Sequence, residues 1–588
     1  MRFRSLKNWD DPAGSTSLLF FAQILEEMLF DFSMDTYKAS IMHSGLLCIE
    51  ALQTIDEVDS GNIAEPNIGH VIDELCTNLE KDTVAQSLIK LPLDSFLGTL
   101  KNKKTSTKDL KGLVELISFS LSASAYRSKN EELIANAIKS NAGPGDLRRL
   151  ARSYITTLTA TGFSTKYIAE ETRNFFYFGK NRISNNNAID DFLSIFPSKK
   201  IEYSATFRID KVFEHASDSF KPLGIEISRS APEEIEKGPH TSFSSKGEQV
   251  LYATIHKINA RDVYSARSNA EELLKFCGTL VNLFHHKGNA CWQPECVVHN
   301  KETGVQRLIK NHLNPMHKCA DLIETAAKKK LQLFMSDFSL DKGSFSKFVR
   351  SAQLHSMALT SNSNENQILN LWISLESLIP SETKSDKIAG IEHIANSAIP
   401  FLNEQYISKL LNNLVKDLLR WNKNATIASL RPIPGKKFVD KLAKLISLQK
   451  YATERGVLES KFRDFHLLRD RFDYFKDLLS SPKNVVTALD AHRQRLEWQI
   501  RRIYRARNII VHSGKVPPYT QPLIEHTHDY LDTILSRLVE LASKPRSIHS
   551  VAQGFKFVEI RYNTYHKKLS EKGLAFDENN IHDLLFYH

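Results

Sequence analysis

The chain has 588 residues, 41% apolar and 25% charged, with a formal net charge of +10. That balance is ordinary for a soluble globular protein, and the length is too great for one core, so about three or four domains are expected. The mild basic excess fits a polyanionic partner such as nucleic acid. Six cysteines make no disulfide framework, no run approaches the roughly 20 apolar residues that span a bilayer, and the start Met1–Asp11 lacks the apolar stretch of a secretory signal. The expectation is a reduced, cytoplasmic protein with no membrane partner.

In chain order, apolar residues recur at helical spacing from Ser15 to about Phe196, with turn-rich breaks at Gly61-Asn62, Asn141–Gly145 and Ser184–Asn187. The alternating run Ile201–Ile209, with Pro222–Ser228 and Gln249–His256, predicts strands, and a helix is expected from Asp262 to Phe284. Helical spacing returns from Phe345. Ile368, Leu371, Trp372, Leu375, Leu378 and Ile379 form one stripe that Pro380 stops. Further helices are expected over 387–399, 404–421, 436–450 and 462–480, then Val485–Ser513, closed by Gly514, and Pro522–Leu541. Phe555–Tyr562 resembles a strand. The fold class is mainly α. A helical N-terminal domain (1–196), placed to sense or regulate, precedes a small α+β domain (197–344), a helical domain (345–545) and a C-terminal extension (546–588).

The densest positive feature is Arg493, Arg495, Arg501, Arg502, Arg505 and Arg507, opposed only by Glu497. Gln494, Trp498, Arg501, Arg505, Asn508 and His512 share a helical stripe that ends in a histidine in the last turn, where the helix dipole favours a cation. These residues suit metal-free phosphodiester cleavage. His512 moves a proton for the ribose 2′-hydroxyl or the leaving 5′-oxygen, Arg507 binds the phosphate, and Asn508 orients the imidazole or the phosphate. The 2′-hydroxyl requirement selects RNA, which Arg501, Arg502 and Arg505 are expected to bind. Arg507 and His512 lie about 140° apart on an ideal helix. One phosphate is therefore reached either by loosening the last turn near Gly514 or by two such helices facing each other in a dimer. The bland alternative is a basic surface helix with a capping histidine.

Arg507-Asn508-x3-His512 resembles the signature of HEPN domains. Ile503–Gly514, Leu371–Leu378 and Leu354–Leu359 resemble the Apea-like HEPN family over about residues 345–545. The resemblance implies a C-terminal helical bundle that dimerises through the motif helices. It also implies a metal-independent endoribonuclease with Arg507 and His512 as the catalytic pair and Asn508 as polar companion. Antiphage defence by abortive infection is the implied setting, with a phage-derived trigger or regulatory partner. A toxin of a toxin–antitoxin pair and a catalytically silent RNA-binding scaffold are the alternatives.

Glu376, on an apolar helix, is expected to be partly buried against Arg502 or Arg505, as a structural ion pair or as a residue that orients the site; Tyr504 is placed behind the site with it. No cofactor or metal is assigned. The dense group His285, His286, Cys291, Cys296, His299, His312, His317 and Cys319 raises a zinc alternative, but its spacing is not that of a standard finger and Gly288 and Pro294 read as loop. The lysines at 101–108 and 328–330 are read as solvated faces able to extend an RNA track. No metalloprotease, P-loop or hydrolase motif occurs.

Overall fold

The computed structural model describes residues 3–30, 42–102, 104–180, 182–244, 250–286, 290–310, 314–318, 322–381 and 390–586. It is mainly helical, 68% helix against 7% strand. In chain order, the elements that matter below begin with helices α1 (Ser44–Asp59), α2 (Pro66–Leu79) and α3 (Thr165–Arg173). Strands β1 (Ile201–Ile209), β2 (Ile225–Ser228) and β3 (Leu251–Ala260), helix α4 (Val263–Phe284), and strands β4 (Trp292–Asn300) and β5 (Gln306–Ile309) follow. The last group is α5 (Lys342–Thr360), α6 (Asn364–Leu378), α7 (Gly390–Glu404), α8 (Pro482–Ser513), α9 (Thr520–Ala542) and α10 (Val551–Leu569). No helix among the described residues is long and apolar enough to cross a membrane.

The chain forms two compact units, residues 157–313, and residues 1–156 together with 314–588. These divisions differ from the expected breaks at 196/197 and 344/345, and side-chain chemistry explains the first. Asp262, 1% exposed, caps α4 by accepting the N–H groups of Tyr264 (2.8 Å) and Ser265 (2.9 Å). The same carboxylate accepts the Ser164 N–H at 2.7 Å and its hydroxyl at 3.0 Å. Glu170 of α3 takes Arg307 at 2.9 Å and also the Tyr264 hydroxyl. Residues 157–196 are thereby fastened to the sheet.

The sheet is antiparallel, in the order β2-β3-β1-β4-β5. Phe207 pairs with Ala253 on one side and Cys296 on the other, and the buried face packs Phe207, Ile255 and Val298 against Ala266, Ala270 and Leu274 of α4. The alternation of β1 and β3 made them visible in the sequence. β4 and β5 were not anticipated, because Pro294 reads as a loop signal. It is accommodated at a register irregularity, where the β1–β4 ladder passes from Ile209↔Trp292 to Phe207↔Cys296 and a missing N–H costs no regular bond.

Among the described residues, the regular elements of the other unit are all helices. Leu371, Trp372, Leu375 and Leu378 of α6 meet Ile500, Ile503, Ala506 and Ile510 of α8, Leu523 and Leu531 of α9, and Val551 and Phe555 of α10. Each such burial contributes about 1.5–3 kcal/mol before entropy is counted. Small residues let α5 and α6 approach closely: the hydroxyls of Ser351 and Ser374 are 2.7 Å apart. Residues 314–344, expected in the α+β domain, join this unit instead. Met316 is in its core, and the N–H groups of Ser339 and Asp341 donate to the carbonyls of Ala542 (3.2 Å) and His549 (2.9 Å).

The expected strand Phe555–Tyr562 is helix. Phe555, Val558, Tyr562, Tyr565 and Leu569 are all buried in α10, and their i, i+3, i+4 spacing against a core outweighs the local β preference of aromatic and branched residues. The motif helix runs almost as expected. Pro482 opens α8, the Ser481 hydroxyl caps it by accepting the Asn484 N–H, and Gly514 closes it in the left-handed region at φ 65°.

Candidate functional site

Helix α8 carries every residue of the basic motif, and its environment sorts them into three classes. Arg502 (0% exposed) and Arg505 (2%) are in the interior. The Arg502 Nε donates to Glu50 Oε2 at 2.9 Å, its Nη2 donates to Glu74 Oε2 at 2.7 Å, and Arg505 Nη2 donates to Glu50 Oε1 at 2.5 Å. Glu50 lies on α1 and Glu74 on α2. Two cations and two anions make a neutral buried quartet. Burial pushes the Glu50 carboxyl up, but Arg502 and Arg505 outweigh it and hold the group below its ordinary range. Burial raises Glu74, with Arg502 opposing.

This corrects the expectation that Arg502 and Arg505 bind RNA. Their guanidinium groups are desolvated and committed to carboxylates, so no phosphate reaches them. It also corrects Glu376, which is exposed on α6; the carboxylates that neutralise these arginines are Glu50 and Glu74. A signal for them was present, since each falls in an apolar helical setting (Leu46-Leu47-Cys48-Ile49-Glu50-Ala51 and Val71-Ile72-Asp73-Glu74-Leu75). A carboxylate there needs a buried cation, but nothing local says which cation.

Arg501 stays at the surface, half-buried, with a buried Nε that has no hydrogen-bond partner. It is the one of the three expected RNA-binding arginines that solvent reaches. Nearby, Trp498 Nε1 donates to Asp73 Oδ2 of α2 at 3.4 Å. The stripe drawn from the sequence is therefore not a solvated face, because Arg505 and Asn508 within it are buried.

At the end of α8, Asn508 is 3% exposed and its Oδ1 accepts the Arg507 Nη1 at 2.9 Å. Arg507 is half-buried, and its Nε is buried without a hydrogen-bond partner. Asn508 thus holds the Arg507 guanidinium, whereas its place in the sequence predicts that it orients the imidazole or the phosphate. His512 is exposed in the last turn, between exposed Val511 (50%) and Val516 (40%). The helix remains α-helical through Ser513, so loosening of the last turn does not bring Arg507 and His512 together. They stay about 140° apart on their common axis. Tyr504 is partly buried one turn earlier, its ring 5.7 Å from that of Trp372, which fixes this part of α8 against α6. Chemically, the helix end offers an oriented guanidinium with free donors and a solvent-facing imidazole, an anion binder and a proton carrier.

Among the described residues, the Cys/His group of 285–319 forms no cluster at metal-binding distance. Cys296 is fully buried on β4, where burial pushes its thiol up. Cys291 is exposed, and the His299 Nδ1 is held 2.6 Å from Glu234 Oε2. His312, Cys319 and Gly288 lie outside the described residues. Among the described residues, the side chains that do converge at metal-binding distance are His355, His528 and Asp532, in the helical unit.

No family model, no curated protein and no solved structure matches the chain.

Proposed function

We propose that this protein is a metal-independent endoribonuclease whose site is Arg507, Asn508 and His512, completed by the same residues of a second copy. The observation that carries this reading is the end of α8, where a buried Asn508 aims the half-buried Arg507 while His512 stands in solvent. A regular helix cannot turn both groups onto one phosphate, so two copies of α8 facing each other supply the second half. The exposed Val511 and Val516 beside His512 give that contact an apolar component.

In the proposed reaction one His512 accepts the proton of the ribose 2′-hydroxyl as its oxygen bonds to phosphorus. The bond from phosphorus to the 5′-oxygen breaks, and the partner's His512 returns a proton to that oxygen. The products are a 2′,3′-cyclic phosphate and a 5′-hydroxyl. Arg507 neutralises the charge that builds on the phosphoryl oxygens. Arg501 is the accessible contact for the flanking backbone. On the resemblance to HEPN nucleases we propose that this activity serves cytoplasmic antiphage defence by abortive infection, released by a phage-derived trigger.

The rival reading is a silent RNA-binding scaffold. One observation favours it: Arg502 and Arg505 are spent on Glu50 and Glu74, so the basic groove is smaller than the arginine count implies. Incubation of wild type, Arg507→Ala and His512→Ala with RNA in EDTA separates the two. Cleavage by wild type alone, leaving 5′-hydroxyl ends, supports the nuclease; equal cleavage by all three, or by none under activating conditions, rejects it.

A further inference from the structure

The helical unit holds a second cluster, on other helices, that the proposed nuclease chemistry does not use. His528 and Asp532 are one turn apart on α9 and so share a face, and His355 reaches them from α5. The His355 Nε2 lies 3.1 Å from Asp532 Oδ1, and the His528 Nε2 lies 3.2 Å from Asp532 Oδ2. The two imidazole rings are 4.9 Å apart. One donor atom from each of the three residues falls within 4.8 Å of the others.

Two imidazoles straddling one carboxylate are an unusual structural ion pair. The His355 Nε2 is buried and makes no hydrogen bond, although the carboxylate oxygen is so close. Two imidazole nitrogens and a carboxylate oxygen within 4.8 Å of one another are a ligand set for a borderline divalent ion. Bonds of about 2.0–2.1 Å in a tetrahedron place donor atoms roughly 3.3 Å apart; each imidazole Nε2 lies near that distance from one of the two Asp532 oxygens, His355 from Oδ1 and His528 from Oδ2. Imidazole and carboxylate together select zinc-class ions over calcium or magnesium. The Asp532 side is open, at 45% side-chain exposure. There the turn Pro315–Lys318 packs with Met316 in the core and His317 exposed. His317 is not among the side chains whose donor atoms converge, so the ligand set supplied by the described residues is His355, His528 and Asp532.

We propose that His355, His528 and Asp532 bind one zinc-class divalent cation that bolts α5 to α9. The role is structural, because binding to the folded chain alone stabilises it by mass action. It does not depend on the nuclease reading, whose residues are all on α8.

The test uses the full-length protein, purified without a metal-chelating tag and stripped with EDTA. Co2+ is titrated in, followed by Zn2+. Expected are visible absorption of tetrahedral intensity that saturates at one equivalent per chain, its loss on Zn2+ addition, and a rise in Tm with Zn2+. His355→Ala and Asp532→Asn should each weaken Co2+ binding at least tenfold and abolish the Tm rise. Three outcomes overturn the proposal: no saturable binding, which leaves the cluster an ion pair; undiminished binding in folded variants; or an intense near-ultraviolet thiolate-to-cobalt band, which assigns the ion to cysteines. Should a variant fail to fold by circular dichroism, the wild-type cobalt spectrum and stoichiometry decide alone. RNA cleavage is scored separately, so failure of either reading leaves the other standing.

Discussion

Arg502 and Glu50 are 452 residues apart in the chain, yet the Arg502 Nε donates to Glu50 Oε2 at 2.9 Å in an interior where neither side chain is more than 2% exposed. With Glu74 and Arg505 they join the N-terminal helices α1 and α2 to the middle of the motif helix. Charge inside a core is tolerated only when balanced, and removing one partner leaves its opposite uncompensated.

Glu50→Gln should therefore destabilise the protein by about 3–5 kcal/mol, read from urea unfolding. Glu50→Gln combined with Arg505→Gln should cost less than the sum of the single variants, because the pair is removed as a unit. Additive losses would mean that the contact contributes nothing. Arg502→Ala should also lower stability, and weaker RNA binding by a fully stable Arg502→Ala would contradict its burial.

A fragment of residues 345–545, the region that resembles a HEPN domain, should not fold alone. It lacks Glu50 and Glu74, Met316, and the Val551, Phe555 and Val558 face of α10. Near-ultraviolet circular dichroism and limited proteolysis should report a loosely packed chain. A protease-resistant fragment with fixed tertiary signals would show that the quartet is dispensable.

His512→Ala and Asn508→Ala should separate chemistry from positioning. His512 is exposed, so its loss should shift stability by no more than about 0.5 kcal/mol while lowering cleavage about 10²–10⁴-fold. Asn508→Ala removes the buried acceptor of Arg507, and should cost about 1–3 kcal/mol and lower kcat through a misaimed guanidinium. Cleavage should be indifferent to EDTA in wild type, whatever the chelator does to Tm.

Stability should fall as pH drops from about 6.5 to about 4. Burial lowers His43 to about 4, with Asp82 opposing; burial together with Arg501 and Arg505 lowers His70 to about 4. In that window the unfolded chain binds protons that the folded chain refuses, so acid favours unfolding, and the full stability is present above the unfolded histidine pKa. For His43, 7% exposed, the loss is on the order of 3 kcal/mol. Replacing His43 with Gln should flatten the profile of Tm against pH between those values; an unchanged slope would remove it from the account.

Local pattern alone was enough for the helical class, for β1 and β3, and for the span of α8 and its glycine stop, and it nominated Arg507, Asn508 and His512 for the proposed chemistry. Each of these depends on period, cap or residue type within a few positions. Only the tertiary structure decided which arginines of α8 are surface and which are core, since the deciding carboxylates stand on α1 and α2, 428 to 455 residues away. It alone made Phe555–Tyr562 helical, through burial against α7 and α8, and brought His355 onto the face of His528 and Asp532. The reason is common to all three. Periodicity reports how a segment folds on itself, whereas the partner that neutralises a charge, covers a face or completes a ligand set is chosen by packing between segments distant in the chain.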